Sequence, residues 1–246
     1  MKDANGEQAE IASLPTLLHM VSQACGYARA SATALLRGIE THSGQSLDEV
    51  ARYEETLDTL NRTVNDGVTQ LIPAIGNELE ARQLIACLKF IIELERIGDL
   101  LLNVVNRFQA AGSRLASQDV QELAKMTAIL AEMLDAVGRA FDGQDVPRAL
   151  AVLREDAELD RLRNLTFVRH VENPEGELLR ESYHTLFMSQ LLERAGDHVK
   201  NLAEEICHLV TGRSTRHVLR EYEKPIELQA VENRRKAAPQ RIRRNG

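Results

Sequence analysis

Glu54 with Asp58, Glu95 with Asp99, Asp156 with Asp160, and Glu193 with Asp197 are pairs of carboxylates four residues apart in this sequence. On a helix that spacing puts both acids on one side, a turn apart. Like charges so placed destabilise an isolated helix by roughly 0.2–0.5 kcal/mol, and by more where water is excluded. A chain that repeats the device calls for a compensating positive charge, either a bound cation or a basic partner surface. Carboxylates converging from two antiparallel helices, with no obligatory His or Cys, suit a hard or borderline metal ion held through oxygen. The plainer reading is a solvated acidic face, for which Arg96, Arg154, Arg161 and Arg194 are at hand as partners.

Neighbouring residues say which of these acids border a core. Leu84, Leu88, Ile91, Ile92 and Leu102 share an angular sector with Glu95 and Asp99, so these acids interrupt an apolar stripe. Only Leu186 clearly shares the sector of Glu193 and Asp197, which predicts weaker burial in the second half. Val50 and Leu57 flank Glu54 and Asp58, and Val152 and Leu159 flank Asp156 and Asp160, so those pairs border an apolar face and can meet the others across a helix interface. His198, next to Asp197, is an auxiliary ligand candidate. Glu181-x-x-His184 and Glu205-x-x-His208 match the Glu-x-x-His element of di-iron carboxylate proteins, which makes a carboxylate-bridged metal-binding protein or oxidase the alternative reading. Such a site needs these elements on two helices, whereas one helix is expected to carry both. No Ser-His-Asp set, glycine-rich phosphate loop or paired-cysteine motif is legible, so the expected mode of action is binding rather than catalysis.

The elements that position these residues are helices. Ser13 before Pro15, the box-like Ser46-x-x-Glu49 and Asn77-x-x-Glu80, Ser117, and Asp145 and Asn173 near prolines read as starts. Gly44, Pro73 to Gly76, Gly112, Gly143, Asn173-Pro174 and Gly212 read as stops. The spacing predicts helices over 15–42, 46–72, 77–111, 117–142, 146–171 and 174–211, with essentially no sheet. Short loops between such long helices make sequence neighbours antiparallel. The chain also repeats itself. Glu54 to Asp58 corresponds to Asp156 to Asp160 at an offset of 102, and Leu94-Glu-Arg-Ile-Gly-Asp99 corresponds to Leu192-Glu-Arg-Ala-Gly-Asp197 at an offset of 98. The expected architecture is therefore all-α: two tandem pseudo-symmetric three-helix bundles, residues 13–112 and 113–213, followed by a flexible basic tail over 214–246 with one short helix at most.

Composition narrows the function classes. The net charge is −7, yet six Lys or Arg against one Glu fall within residues 231–246, which leaves −12 on residues 1–230. An acidic body disfavours nucleic acid as the main partner and favours cations or basic protein surfaces. Three cysteines without close spacing fit a reducing cytoplasm. The first residues lack an apolar signal core, and Lys89 and Glu93 interrupt the greasiest run, so no membrane insertion is expected.

At the Leu94–Asp99 and Leu192–His198 segments the chain resembles the PhoU family of phosphate-transport regulators, whose members carry two ExxxD motifs in LERIGD-like segments. Arg154 to Asp160 resembles the family's fifth-helix segment, Glu80-Ala-Arg82 stands where a DLR-like start to the third helix is usual, and Leu209 to His217 resembles its ending. The likeness spans residues 14–217. It implies six helices in two pseudo-symmetric bundles, a homodimer in many members, and metal clusters at the acidic face in some. It further implies repression of phosphate uptake and of the phosphate-starvation response, through contact with a phosphate-specific ABC transporter ATPase and a sensor histidine kinase. By this analogy Glu54, Asp58, Glu95, Asp99, Asp156, Asp160, Glu193 and Asp197 contact metal or partner, with iron, zinc, manganese or magnesium as the divalent or trivalent ion. The sequence departs from the family pattern at Glu54, where Asp is frequent, and at Leu100, where a polar residue is common.

Overall fold

A computed structural model describes residues 13–172 and 180–222 of the chain. Its helices are α1 Leu14–Thr41, α2 Gly44–Leu71, α3 Glu78–Ala111, α4 Ser117–Gly143, α5 Val146–Phe167, α6 Arg180–Thr211 and α7 Thr215–Tyr222. Short 3-10 turns follow α2 and α3, and a π-helical turn, Val168–Glu172, extends α5. No strand occurs among the described residues.

Local chemistry accounts for most boundaries. The Ser13 hydroxyl accepts the Thr16 N–H and Pro15 opens α1, while Asn77 and Asp145 cap α3 and α5 by accepting from Glu80 N–H and Arg148 N–H. Two expected signals are displaced. Ser43, not Ser46, caps α2, and Gly44 starts that helix instead of ending the previous one, because His42 takes the left-handed conformation at φ 53 that stops α1. Ser117 is the first residue of α4 rather than its cap, and Ala116 precedes it with no side-chain acceptor. The expected sixth-helix start at Asn173-Pro174 lies outside the described residues. Of the expected tail, residues 215–222 form α7, held by the buried Val218, and residues 223–246 lie outside the described residues.

Helices α1, α2 and α3 pack against one another, as do α4, α5 and α6, and the two sets join along α1 with α4 and α3 with α6. Fully buried Ala24, Ala28 and Ala32 keep α1 slim enough to sit among three neighbours. The α3–α6 contact is antiparallel: Lys89 meets Glu205, Arg107 lies 4.6 Å over the Phe187 ring, and Arg114 reaches Glu181. Aromatic packing between the sets centres on Phe90 and Phe141, ring centres 4.5 Å apart. The π-helical turn is fastened by charge, since Arg169 and His170 bind the buried Asp119 of α4, and Arg169 also binds Glu122. All three cysteines are buried and free, and burial pushes the Cys25 and Cys87 thiols up to about 12 and the Cys207 thiol up to about 11.

Candidate functional site: two acidic clusters

Helices α2 and α3 bring Glu54, Asp58, Glu95 and Asp99 into one electrostatic neighbourhood. Burial raises the Glu54 carboxyl above its ordinary value, and the charges of Asp99, Asp58, Glu55 and Glu95 raise it further. Glu95 is raised in the same way, by burial, then Asp99 and Asp58, with Arg96 only partly offsetting them. Val50 and Leu57 beneath the cluster are fully buried, as the pattern predicted. Burying each such side chain contributes about 1.5–3 kcal/mol, which helps hold the acids together against their repulsion.

The second half repeats the arrangement with α5 and α6. Burial raises Glu193, as do Asp197 and Asp160, while Arg163 at 3.6 Å lowers it. The same backbone device serves both clusters. A Cβ added at Gly98 would meet Leu57 Cδ1 at 3.0 Å and the Glu54 Cα at 3.8 Å. One added at Gly196 would meet Leu159 Cδ1 at 2.5 Å and Asp156 Oδ1 at 3.6 Å. The glycine inside each ExxxD segment therefore lets the facing helix come close, and this close approach sets the acids of one helix against those of the other.

The two clusters differ in one residue that spacing alone did not single out. Lys200 of α6 places its ammonium 2.8 Å from Asp156, and its pKa is raised by that hydrogen bond and by the charges of Asp156, Asp197 and Asp160. At the offset of 98 its counterpart in the first half is Leu102. The expected weaker burial of the second half holds for one acid of each pair and not for the other. The Asp156 side chain is 6% exposed and Glu193 14%, against 25% for Glu95, whereas Asp160 and Asp197 are exposed where their counterparts Asp58 and Asp99 are half-buried. Asp156 can lie this deep because the Lys200 ammonium, on a side chain that is itself 39% exposed, reaches it from the rim. The missed signal was a lysine three residues after the ExxxD aspartate in one repeat and an apolar residue in the other.

The arginines are distributed less evenly than a solvated-face reading assumes. Arg62 pairs with Asp58 and Arg96 lies 3.9 Å from Glu95, but Arg161 turns to Glu158, a carboxylate outside both clusters. His198 hydrogen-bonds Glu93 of α3, so its ring serves the α3–α6 contact. Both Glu-x-x-His elements lie on α6, as expected, where Glu181 faces Arg114 and Glu205 binds Lys89. Among the described residues, no group of three or more His, Cys, Asp or Glu side chains is gathered at distances that would hold a metal ion. No described helix is long and apolar enough to cross a membrane.

Fold and site together define an all-helical protein of two similar three-helix modules, each displaying one acidic cluster where its second and third helices approach over a glycine. The PhoU domain family model matches the chain twice, over residues 21–108 and 123–206, once per module. The chain belongs to the PhoU family. It is 27% identical over 191 residues to a phosphate-specific transport system accessory protein PhoU homolog of Thermotoga maritima, covering 75% of this chain and 82% of the relative. It is 28% identical over 201 residues to a protein of the same description from Caulobacter vibrioides, covering 78% and 85%. The crystal structure of PhoU from Pseudomonas aeruginosa shares the fold at a TM-score of 0.73 and 21% identity, over 81% of this chain and 98% of that one. The PhoU structure from Streptococcus pneumoniae does so at 0.70 and 18%, over 82% and 97%.

Proposed function

We propose that this protein is a negative regulator of phosphate uptake and of the phosphate-starvation response. It acts in the cytoplasm as a homodimeric adaptor between the ATPase of a phosphate-specific ABC transporter and a sensor histidine kinase, by binding rather than catalysis. The supporting observation is the matched pair of acidic clusters, kept in mutual repulsion by the Gly98 and Gly196 contacts. Relatives named as phosphate-specific transport accessory proteins support the process. A fixed acidic face steers and orients a basic partner surface, and docking removes repulsion already present in the free protein.

Arg62 and Arg96 offset Asp58 and Glu95 only from the exposed side of the α2–α3 cluster, and the charge that Glu54 still feels from Asp99, Asp58 and Glu95 is open to neutralisation by a basic partner side chain or a cation. Carboxylate oxygens suit a hard cation by type, but Glu54, Asp58, Glu95 and Asp99 do not stand at metal-ligand distances from one another and would have to close around an ion to hold it. The α5–α6 cluster fits a cation less well, because Lys200 already neutralises Asp156. A bound ion would supply a fixed positive charge to bridge the acidic face to an acidic partner group.

The test is a reporter of phosphate-starvation genes in cells whose only copy carries Glu54→Lys with Asp58→Lys, or Glu193→Lys with Asp197→Lys. The expected result is expression at high phosphate with the protein level unchanged. Full repression by both variants would overturn the role of the clusters.

A further inference from the structure

A cleft of about 1110 Å³ lies between α3, the last turns of α6, and α7. Gly212, at φ 67, turns the chain out of α6. Thr215 Oγ1 then donates to the Glu204 carbonyl at 3.4 Å, Val218 is buried, and Leu219 shares the cleft wall with Asn201 and Leu202. Helix α7 therefore folds back beside α6 and delivers the chain in the direction of Asp197. The wall from α3 carries Ile92, 39% exposed, so an apolar strip lies open beside this exit.

The strip leads to the acidic clusters. Residues seven apart on a helix share a face two turns on, roughly 10 Å away. Asp99 stands so from Ile92 on α3, and Asp197 stands so from Glu204 on the antiparallel α6, so both helices carry carboxylates the way α7 points. Inside the cleft Glu93, Glu204 and Glu205 face Lys89 and Arg216, with Glu205 held by Lys89 and Glu93 by His198. In the α5–α6 cluster Lys200 holds Asp156, and Arg163 lies 3.6 Å from Glu193. The α2–α3 cluster is offset from its exposed side alone, by Arg62 and Arg96, so the least compensated charge along this path is there.

The segment that follows α7 has the matching composition. Pro225, Ile226 and Leu228 come first, apolar like the strip, and residues 233–246 hold Arg234, Arg235, Lys236, Arg241, Arg243 and Arg244 with no acid among them. The eleven residues between Tyr222 and Arg234 span up to about 36 Å when extended, well beyond the roughly 10 Å to be crossed. Attachment to α7 makes the encounter intramolecular, at an effective concentration on the order of millimolar. We propose that this segment docks in cis along α3, with Arg234, Arg235 and Lys236 against Glu54, Asp58, Glu95 and Asp99, and there competes with the basic partner surface. The competition rests on the adaptor reading above, whereas the docking does not.

Carbodiimide coupling of the full chain at low ionic strength, which joins an ammonium to a carboxylate in direct contact, tests the docking. Mixed isotopically heavy and light chains separate contacts within a chain from contacts between copies. The expected result is Lys236 joined, within one chain, to Glu54, Asp58, Glu95 or Asp99, and the loss of that product at high salt. A fluorescent peptide copying residues 231–246 should bind the Arg234→Gln, Arg235→Gln, Lys236→Gln chain several-fold more tightly than the unaltered chain, because the attached segment no longer competes. Coupling of Lys236 to carboxylates elsewhere, coupling only between copies, no coupling, or equal affinity of the peptide for the two chains would each overturn the proposal. Neither measurement uses the transporter or the kinase. Docking together with full repression by the cluster variants would therefore remove the adaptor reading alone, and lost repression without docking would remove the segment alone.

Discussion

Adding one methyl group at Gly196 measures how closely α5 and α6 approach beneath the second acidic cluster. The new Cβ would lie 2.5 Å from Leu159 Cδ1, and Leu159 is fully buried, so the methyl it displaces has no open space to enter. Overpacking of this kind costs about 1–3 kcal/mol, while replacing glycine by alanine inside a helix contributes about 0.8–1 kcal/mol in return. Gly196→Ala should therefore destabilise the protein by roughly 1 kcal/mol, a fall of about 2–4 °C in Tm for a chain of this size. At Gly98 the equivalent contact is 3.0 Å, so the two effects nearly cancel and Gly98→Ala should leave stability about unchanged. Gly26 of α1 has nothing within 4 Å and calibrates the helix effect alone, so Gly26→Ala should stabilise by about 0.8–1 kcal/mol. Urea unfolding of the three variants, with calorimetric Tm as a second readout, should rank them Gly26→Ala above Gly98→Ala above Gly196→Ala. Equal stabilisation of all three would show that neither glycine sits at a tight contact, and the reasoning that links those contacts to the acidic clusters would fall with it.

Leu102→Lys transplants the Lys200 device into the first cluster and should stabilise the chain by about 0.2–1 kcal/mol, a gain that salt should erode and that urea unfolding can read. Lys200→Met leaves Asp156 buried without its cation and should cost about 2 kcal/mol, below the roughly 3–5 kcal/mol of a fully buried pair because Lys200 is 39% exposed. The raised pKa of Lys200 means that its stabilisation is present at neutral pH and lost as pH rises through its folded value, so the gap between unaltered and Lys200→Met proteins should close in strong alkali. The raised carboxyls of Glu54 and Glu95 act in the opposite range: stability they contribute when protonated is present below the ordinary carboxylate value and lost as pH rises through their folded values. Glu54→Gln with Glu95→Gln should therefore flatten the pH dependence of unfolding just above pH 4.5. With thiols pushed to about 11–12 and buried, Cys25, Cys87 and Cys207 should resist a disulfide-exchange reagent at pH 8 until the chain is unfolded, when all three should react.

The helices and their pairing were legible because long apolar stripes and side-chain caps are local signals. Asn77 and Asp145 behave as their positions predict. The α2 start was misplaced because Ser43 and Ser46 are both competent caps, and the choice between them is made by where His42 turns the chain, which periodicity does not encode. All eight acids were legible from spacing and repetition, and the interface that gathers them followed from their apolar neighbours. Their depth was not. The depth of Asp156 depends on a cation from elsewhere in the fold, and Lys200 becomes visible as that cation only once α5 and α6 are packed. The same holds for Glu205, whose partner Lys89 is 116 residues away, and for the close approach at Gly196, where a residue type permits a contact without announcing it.

The central claim is that the two acidic clusters form the partner-binding face, and direct binding tests it most sharply. The purified chain would be titrated against the transporter ATPase and against the cytoplasmic part of the sensor kinase at low and high salt, alongside variants carrying Glu54→Lys with Asp58→Lys and Glu193→Lys with Asp197→Lys. The account predicts binding that weakens steeply with salt and falls at least about 10-fold in each double variant, as expected when close charge pairs are reversed. Unchanged affinity in both double variants, at either salt concentration, would contradict it.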